Sequence, residues 1–179
     1  MIKVSDIITT APVEFKTEVQ KKVYETLEKL DIPFERIDTE DAITMEDCQA
    51  IDAKFGYKTV KTVFVCNRQQ TNFYLFVTEG DKPFSTKDFG HALEISRVSF
   101  TPAEKLYTML GTKIGATSVL SIVHDPGHKV NVVIDKKVAD SEWYVCSDST
   151  TTCYIKFKTP DILGKYLDFT GHRPTLITV

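Results

Sequence analysis

The most apolar stretch of the chain runs from Thr59 to Cys66, and it constrains the fold more than any other feature. A second apolar run, from Phe73 to Thr78, follows after the polar segment 67–71. Two such runs joined by a short polar segment are typical of a β-hairpin. The core of the fold is therefore expected to be built around this antiparallel pair of strands.

Lys61 places a positive charge inside the first of these strands. Because side chains alternate between the two faces of a strand, Lys61 shares its face with Val63 and Val65. Lysine is rarely buried without a partner, since removing its charge from water is costly. Lys61 should therefore hold a ligand, a carboxylate or a backbone carbonyl. The alternative is an edge-strand lysine whose ammonium group reaches water.

Helices and further strands are predicted on both sides of this hairpin from capping residues, periodicity and glycine or proline stops. The predicted helices are 17–32, 44–55, 85–93, 101–110 and 159–170. Further strands are predicted at 34–38, 98–100, 143–145, 153–157 and 175–179, and the turn residues 125–127 predict a second hairpin between the runs 118–124 and 129–135.

These elements do not alternate in the strict βαβ order of a doubly wound sheet. We therefore expect a single α+β domain, with a mixed, mostly antiparallel, barrel-like sheet flanked by helices. Residues 1–16 have no clear period and are interpreted as an N-terminal extension of a domain spanning 17–179. A chain of 179 residues with 42% hydrophobic residues fits one such unit.

The charge and cysteine content narrow the classes of partner. A net charge of −3 gives no general basic field, so DNA binding is not expected and any contact with RNA must be local. Four cysteines without a C-x-x-C pair favour reduced thiols. No stretch approaches the ~18 apolar residues of a membrane span, so a soluble, cytoplasmic protein without a membrane partner is expected.

Two polar segments are candidate binding loops. In the segment 110–118, Gly111 ends a helix, and Gly115 precedes three small residues that leave space for a ligand near the backbone N–H groups. The alternative is a plain connector. The segment 147–152 is rich in hydroxyl groups and is predicted either to line a polar pocket or to form an exposed loop.

No cofactor or metal is predicted from the sequence. His124 and His128 flank a turn, but no further cluster of zinc ligands lies at a recognisable spacing. The sequence also lacks the phosphate-binding and dinucleotide-binding glycine motifs.

Four segments, in this order, resemble the YbaK/ProX-type family of aminoacyl-tRNA deacylases. Lys61 to Val65 is similar to the family's Lys-Asn-Leu-Phe-Leu strand, and Arg97 to Phe100 to its Arg-Leu-Ser-Phe segment. Residues 110–118 resemble its glycine loop, and 159–172 its closing helix and strand. The resemblance spans roughly residues 20–179 and is strongest to the branch associated with prolyl-tRNA synthetase, which clears alanine from tRNA(Pro).

This resemblance implies hydrolysis of the ester between a mischarged amino acid and the terminal adenosine of tRNA. Lys61 would be the key catalytic residue, and Arg97 would contact the acceptor stem. Mischarged tRNA is the implied partner, together with prolyl-tRNA synthetase, and no cofactor is needed because the ester is already activated. The implied substrate-binding residues are Gly111, Gly115, Ala116, Thr117, Ser118, Ser147 and Thr151.

Three departures from the family pattern leave alternatives open. The glycine loop lacks the family's proline, Cys66 replaces a second lysine, and the segment 147–152 lacks the His and Asn of the family's His-Pro-x-x-Asn-Thr. The chain could instead deacylate Cys-tRNA(Pro) or a Ser-tRNA, or bind tRNA or a synthetase without catalysis. It could also be the editing domain of a larger prolyl-tRNA synthetase.

Overall fold

The computed structural model describes every residue from Met1 to Val179. The helices are α1 (Glu18–Lys29), α2 (Cys48–Phe55), α3 (Thr86–Leu93), α4 (Ala103–Leu110), α5 (Lys136–Ala139) and α6 (Leu167–Thr170). The strands are β1 (Glu35–Asp38), β2 (Lys61–Asn67), β3 (Phe73–Thr78), β4 (Val98–Phe100), β5 (Val130–Asp135), β6 (Trp143–Ser147), β7 (Cys153–Lys158) and β8 (Thr175–Ile177). A 3₁₀-helix spans Val119–His124, and a π-helical segment, Asp161–Tyr166, leads into α6.

The strands form two sheets, of order β4-β2-β3-β5-β8 and β1-β7-β6. The β2–β3 hairpin is confirmed, with Lys61 opposite Thr78, and the antiparallel pairs outnumber the parallel pairs β3–β5 and β5–β8. The sheets meet where the Val60 N–H donates to the Val145 carbonyl at 3.0 Å. The α+β fold class is confirmed, although the two sheets do not close into a barrel.

The predicted second hairpin is wrong. Residues 119–124 form a 3₁₀-helix, and β5 pairs in parallel with β3. The apolar run is buried, and the capping box of Ser118 and Ser121 binds its first N–H groups, so the run needs no strand partner. A short apolar run cannot be assigned to a strand or a buried helix from periodicity alone. Similarly, α2 begins at Cys48 rather than Thr44, because Thr44 donates to the Asp47 carboxylate in a turn.

Side chains of β2 alternate as expected. Phe64 and Cys66 face the main core, which joins both sheets to α1 and the C-terminal helical segment. Val63 and Val65 face the opposite side, which packs on Phe89 of α3. A third cluster lies between α2 and the three-stranded sheet. This alternation places Lys61 on the α3 side of β2.

The first sixteen residues lie along the edge of β1. Val4 and Ile8 form isolated antiparallel bridges with Thr39 and Arg36, and the Arg36 guanidinium donates to the Thr10 carbonyl at 2.6 Å. None of the helices has the length and apolar character needed to cross a membrane.

Candidate active site at the open edge of β2

A cavity of about 360 Å³ lies where β4 separates from β2. Strand β4 pairs with β2 only from Val65 to Asn67, so the outer edge of β2 before Val65 faces this cavity. The walls come from residues 43–48, residues 59–64, residues 100–118 and the strands β6 and β7. The cavity is therefore formed by segments that are distant in sequence and that the junction of the two sheets brings together.

Lys61 lines this cavity and is partly buried. Its ammonium group donates to the main-chain carbonyl of Lys82, one of the three partners expected for a lysine at this position. Desolvation by burial lowers the pKa of Lys61. The charge is thus held at a fixed position, beside a cavity that can accept a ligand.

Lys82 is itself anchored, which fixes the carbonyl that Lys61 contacts. The Lys82 ammonium lies 3.1 Å from a carboxylate oxygen of Asp135, which is buried and also accepts a hydrogen bond from the Thr78 hydroxyl at 2.8 Å. Burial alone would raise the pKa of Asp135, but hydrogen bonds from Thr78, the Lys137 amide and Lys82 outweigh it and lower the pKa. Asp135 therefore stays ionised and supports Lys61 from outside the cavity.

The glycine loop forms a second wall. Gly115 has a φ of +88°, and a β-carbon at this position would lie 2.9 Å from the side chain of Ile43. The Ala116 N–H donates to the Lys113 carbonyl and the Ser118 N–H donates to the Ser121 hydroxyl. The N–H groups of Gly115 and Thr117 have no partner in the protein, so they remain available to a ligand.

The segment 147–152 is mostly buried and supports the glycine loop. The Ser147 hydroxyl donates to the Ala116 carbonyl at 2.9 Å. The Asp148 carboxylate accepts hydrogen bonds from the Gln20 amide at 2.8 Å and the Tyr24 hydroxyl at 2.9 Å, both on α1. This segment therefore connects the cavity wall to the first helix.

The structure separates the predicted site residues into three groups. Five of them line the cavity: Lys61, Gly115, Thr117, Ser118 and Ser147. Three others, Gly111, Ala116 and Thr151, line a second cavity of about 880 Å³ on the other side of the glycine loop. Arg97 lines neither; it is exposed and directly precedes β4, whose last residue, Phe100, lies at the wall of the first cavity.

Several cavity residues were not predicted from the sequence. Phe100 and Ile114 are largely exposed, at 64% and 66%, and form an apolar rim, whereas Cys146 and Tyr154 lie at the buried end. Burial raises the pKa of the Cys146 thiol, so this group is neutral at physiological pH and is a poor nucleophile. No local pattern distinguishes these residues from ordinary core and surface residues.

The described chain contains no cluster of three or more His, Cys, Asp or Glu side chains that could hold a metal ion. His128 contacts the Thr170 carbonyl at 3.0 Å through its Nε2 atom, and its ring packs against His172. What the cavity offers is a set of fixed donors beside apolar walls. Such an arrangement can orient an ester and stabilise negative charge on its carbonyl oxygen.

Comparisons with known proteins identify the family of this chain. The model of the aminoacyl-tRNA editing domain family matches residues 39–164. The prolyl-tRNA editing protein ProX of Acetoanaerobium sticklandii is 25% identical over 121 residues, which cover 68% of this chain and 74% of that protein.

A solved structure described as a candidate trans-editing enzyme for prolyl-tRNA synthetase superposes with a TM-score of 0.64. It is 13% identical, and the match covers 92% of this chain and 99% of that one, so the likeness concerns the fold. The family match covers most of the chain, including the cavity-lining part of β2 and the glycine loop. The protein therefore belongs to the aminoacyl-tRNA editing domain family, whose chemistry is hydrolysis of mischarged aminoacyl-tRNA.

Proposed function

We propose that this protein is a trans-editing deacylase that hydrolyses Ala-tRNA(Pro). The observation that carries the proposal is the cavity itself. One wall contains Lys61, whose ammonium group is held by the Lys82 carbonyl, and another contains Gly115 and Thr117, whose N–H groups have no partner in the protein. The similarity to a prolyl-tRNA editing protein supports tRNA(Pro) as the carrier.

The proposed reaction needs positioning more than an activated side chain. A water oxygen attacks the ester carbonyl carbon, and negative charge develops on the carbonyl oxygen. Fixed donors at that point stabilise the transition state more than the ground state. The bond from carbon to the 3′-oxygen of the terminal ribose then breaks, and the proton lost by the attacking water passes to that oxygen. The adjacent 2′-hydroxyl of the substrate can relay this proton.

Alanine is favoured by the character of the cavity. The cavity has apolar walls that suit a methyl group, supplied by Phe64, Leu106 and Cys146. A substrate amino acid with a charged side chain would find no partner for its charge there. An editing site must also spare the correctly charged product, which steric exclusion of the larger proline ring would achieve.

Arg97 is proposed to contact the acceptor stem. Its side chain is exposed and outside the cavity, so it can bind a phosphate without touching the aminoacyl group. Prolyl-tRNA synthetase is the proposed protein partner, on the basis of the relatives alone.

The test is turnover of a matched panel: Ala-, Cys-, Ser- and Pro-tRNA(Pro), with Ala-tRNA(Ala) to test recognition of the tRNA. We expect Ala-tRNA(Pro) to be hydrolysed fastest and Pro-tRNA(Pro) to be spared. Faster turnover of Cys- or Ser-tRNA(Pro) would mean that the enzyme removes cysteine or serine rather than alanine. Absence of turnover on every substrate, with tRNA binding retained, would identify a non-catalytic binding module.

A further inference from the structure

One residue of β2 has both of its backbone groups directed into the cavity without a partner. On the outer edge of β2, the Phe64 carbonyl accepts from the Thr101 N–H at 3.0 Å, and the Val60 N–H donates to the Val145 carbonyl at 3.0 Å. In a strand, the N–H and C=O of alternate residues point to the same side. Thr62 lies midway between these two bonds, so its N–H and C=O also point outward.

The pairing of the strands confirms that these groups are open. The opposite edge of β2 pairs with β3, and the Asn67 N–H donates to the carbonyl of Asn72, the residue just before β3. The odd-numbered residues of β2 therefore bond towards β3, and the even-numbered residues, including Thr62, point to the outer edge. On the outer edge β4 reaches only to Val65, and no side chain bonds to the Thr62 backbone. Because more than 90% of buried backbone polar groups are paired, an open pair at a cavity wall points to a ligand that completes it.

The gap offers a partner strand one position, opposite Thr62, at which a single residue can form two hydrogen bonds. It runs from Val60 to Phe64, a span of about 13 Å at ~3.3 Å per residue, and at each end one backbone group is already bonded, the Val60 N–H and the Phe64 carbonyl. In an antiparallel ladder one residue pairs with one residue through two bonds, an N–H to a C=O and the reverse. The ligand should therefore present one acceptor and one donor at the spacing of a single amino acid.

We propose that Thr62 pairs with the aminoacyl group of the substrate as though that group were one residue of a neighbouring antiparallel strand. The Thr62 N–H donates to the ester carbonyl oxygen, and the Thr62 carbonyl accepts from the α-ammonium group. An aminoacyl ester carries these two groups on either side of one α-carbon, as a residue does. This inference rests on the proposed function and adds a main-chain donor at the reacting carbonyl.

The pairing also sets the direction of the substrate side chain. Residues directly opposite in a ladder share a face of the sheet, so the side chain of the bound amino acid lies on the face of Thr62 and Phe64. That face meets the apolar end of the cavity at Leu106 and Cys146, whereas Lys61 lies on the opposite face. Backbone pairing therefore recognises the ammonium and carbonyl groups that every aminoacyl ester has, and the apolar end of the cavity limits the size of the side chain.

The first experiment measures binding and does not depend on catalysis. Amide hydrogen exchange is followed by NMR in the intact protein with and without 3′-alanylamino-3′-deoxyadenosine, which carries the ammonium and carbonyl groups but cannot be hydrolysed as an ester. Val63, paired with Phe76 in β3, is the internal control. We expect the Thr62 amide to exchange faster than the Val63 amide in the free protein, and at least tenfold more slowly once the analogue is bound.

The second experiment measures turnover of Ala-tRNA(Pro). Replacing Thr62 by its α-hydroxy acid analogue removes the N–H and keeps the side chain, and the same replacement at Gln69, an exposed residue of the turn between β2 and β3, is the matched control. We expect the Thr62 variant to lose about 10²- to 10³-fold in kcat, the range for one oxyanion donor, and the Gln69 variant to stay within about threefold of wild type. Melting curves establish that both variants are folded.

The outcomes separate this inference from the proposed function. If the wild type deacylates Ala-tRNA(Pro) but the Thr62 variant is equally fast, the pairing is overturned and the function stands. Thr62 exchange that does not respond to the bound analogue, or an analogue that does not bind, also overturns it. If Thr62 is protected by the analogue but no mischarged tRNA is hydrolysed, the pairing stands and the deacylase proposal fails.

Discussion

Replacing Lys61 with methionine removes the ammonium group and keeps an unbranched side chain of similar length. In the structure that group makes one hydrogen bond, to the Lys82 carbonyl. Losing a charge-assisted hydrogen bond costs about 1.5–3 kcal/mol of stability. The loss is offset because burial already disfavours the charged form, as the lowered pKa indicates. We expect a net change in the free energy of unfolding within about 1 kcal/mol.

The effect on turnover should be much larger. A fixed charge that acts on the reacting ester contributes about 2–4 kcal/mol to transition-state stabilisation, so K61M should lower kcat/KM by about 30- to 1000-fold. K61R should not restore the rate fully, since a planar guanidinium differs in shape from a compact ammonium.

The assay is deacylation of Ala-tRNA(Pro), with a melting curve for each variant. The matched control is K58A, because Lys58 is a nearby lysine that is 67% exposed, pairs with Asp81 and lies outside the active-site cavity. Equal losses in K58A and K61M would mean that the charge acts through general attraction of tRNA. A folded K61M protein with wild-type turnover would remove Lys61 from the mechanism.

Four further outcomes follow from the same geometry. R97A should weaken tRNA(Pro) binding and lower its salt slope by about 0.7–1, and an unchanged slope would argue against a phosphate contact. G115A should lower the free energy of unfolding by about 1–3 kcal/mol because of its positive φ and the contact with Ile43, so an unchanged melting temperature would contradict the loop geometry. Burial raises the pKa of Cys48 from 9.0 to about 11, so between these pH values the folded state keeps a proton that the unfolded state releases. The contribution of this thiol to the free energy of unfolding is therefore present below pH 9 and should be lost between about pH 9 and 11, as measured by denaturant titrations. Chelators should leave turnover unchanged, and a loss that zinc restores would reveal a missed metal site.

The sequence was most informative where local signals and tertiary packing agree. The β2–β3 hairpin and the ends of α1 and α4 have strong local signals, and the structure has them close to the predicted positions. The run 118–124 carries no such signal, because an apolar segment of this length packs equally well as a strand or a short helix. Its helical form depends on burial against α1 and α4, which no local pattern reports.

The candidate site was predictable only in part for a similar reason. Lys61 stood out because a charge in an apolar strand needs a partner. A position close to Gly115 in the sequence was a weaker indication that a residue lines the same cavity, since Gly111 and Ala116 line the second cavity, on the other side of the glycine loop. Which cavity each loop residue faces depends on the left-handed backbone at Gly111 and Gly115. Thr62 was not predicted from the sequence, because its proposed contribution comes from main-chain groups that every residue has.

The buried carboxylate of Asp148 limits how this protein can be re-engineered. The turn 147–152 cannot be exchanged on its own to change substrate specificity, because Gln20 and Tyr24 of α1 both donate to Asp148. Grafting the His-Pro-x-x-Asn-Thr segment of relatives into this turn would leave the buried Gln20 amide without its partner, at about 1–3 kcal/mol, and would leave Tyr24 only its contact with the Cys153 thiol at 3.4 Å. A viable exchange would have to redesign the inner face of α1 together with the turn, so a change of substrate preference at this position requires paired substitutions more than a hundred residues apart.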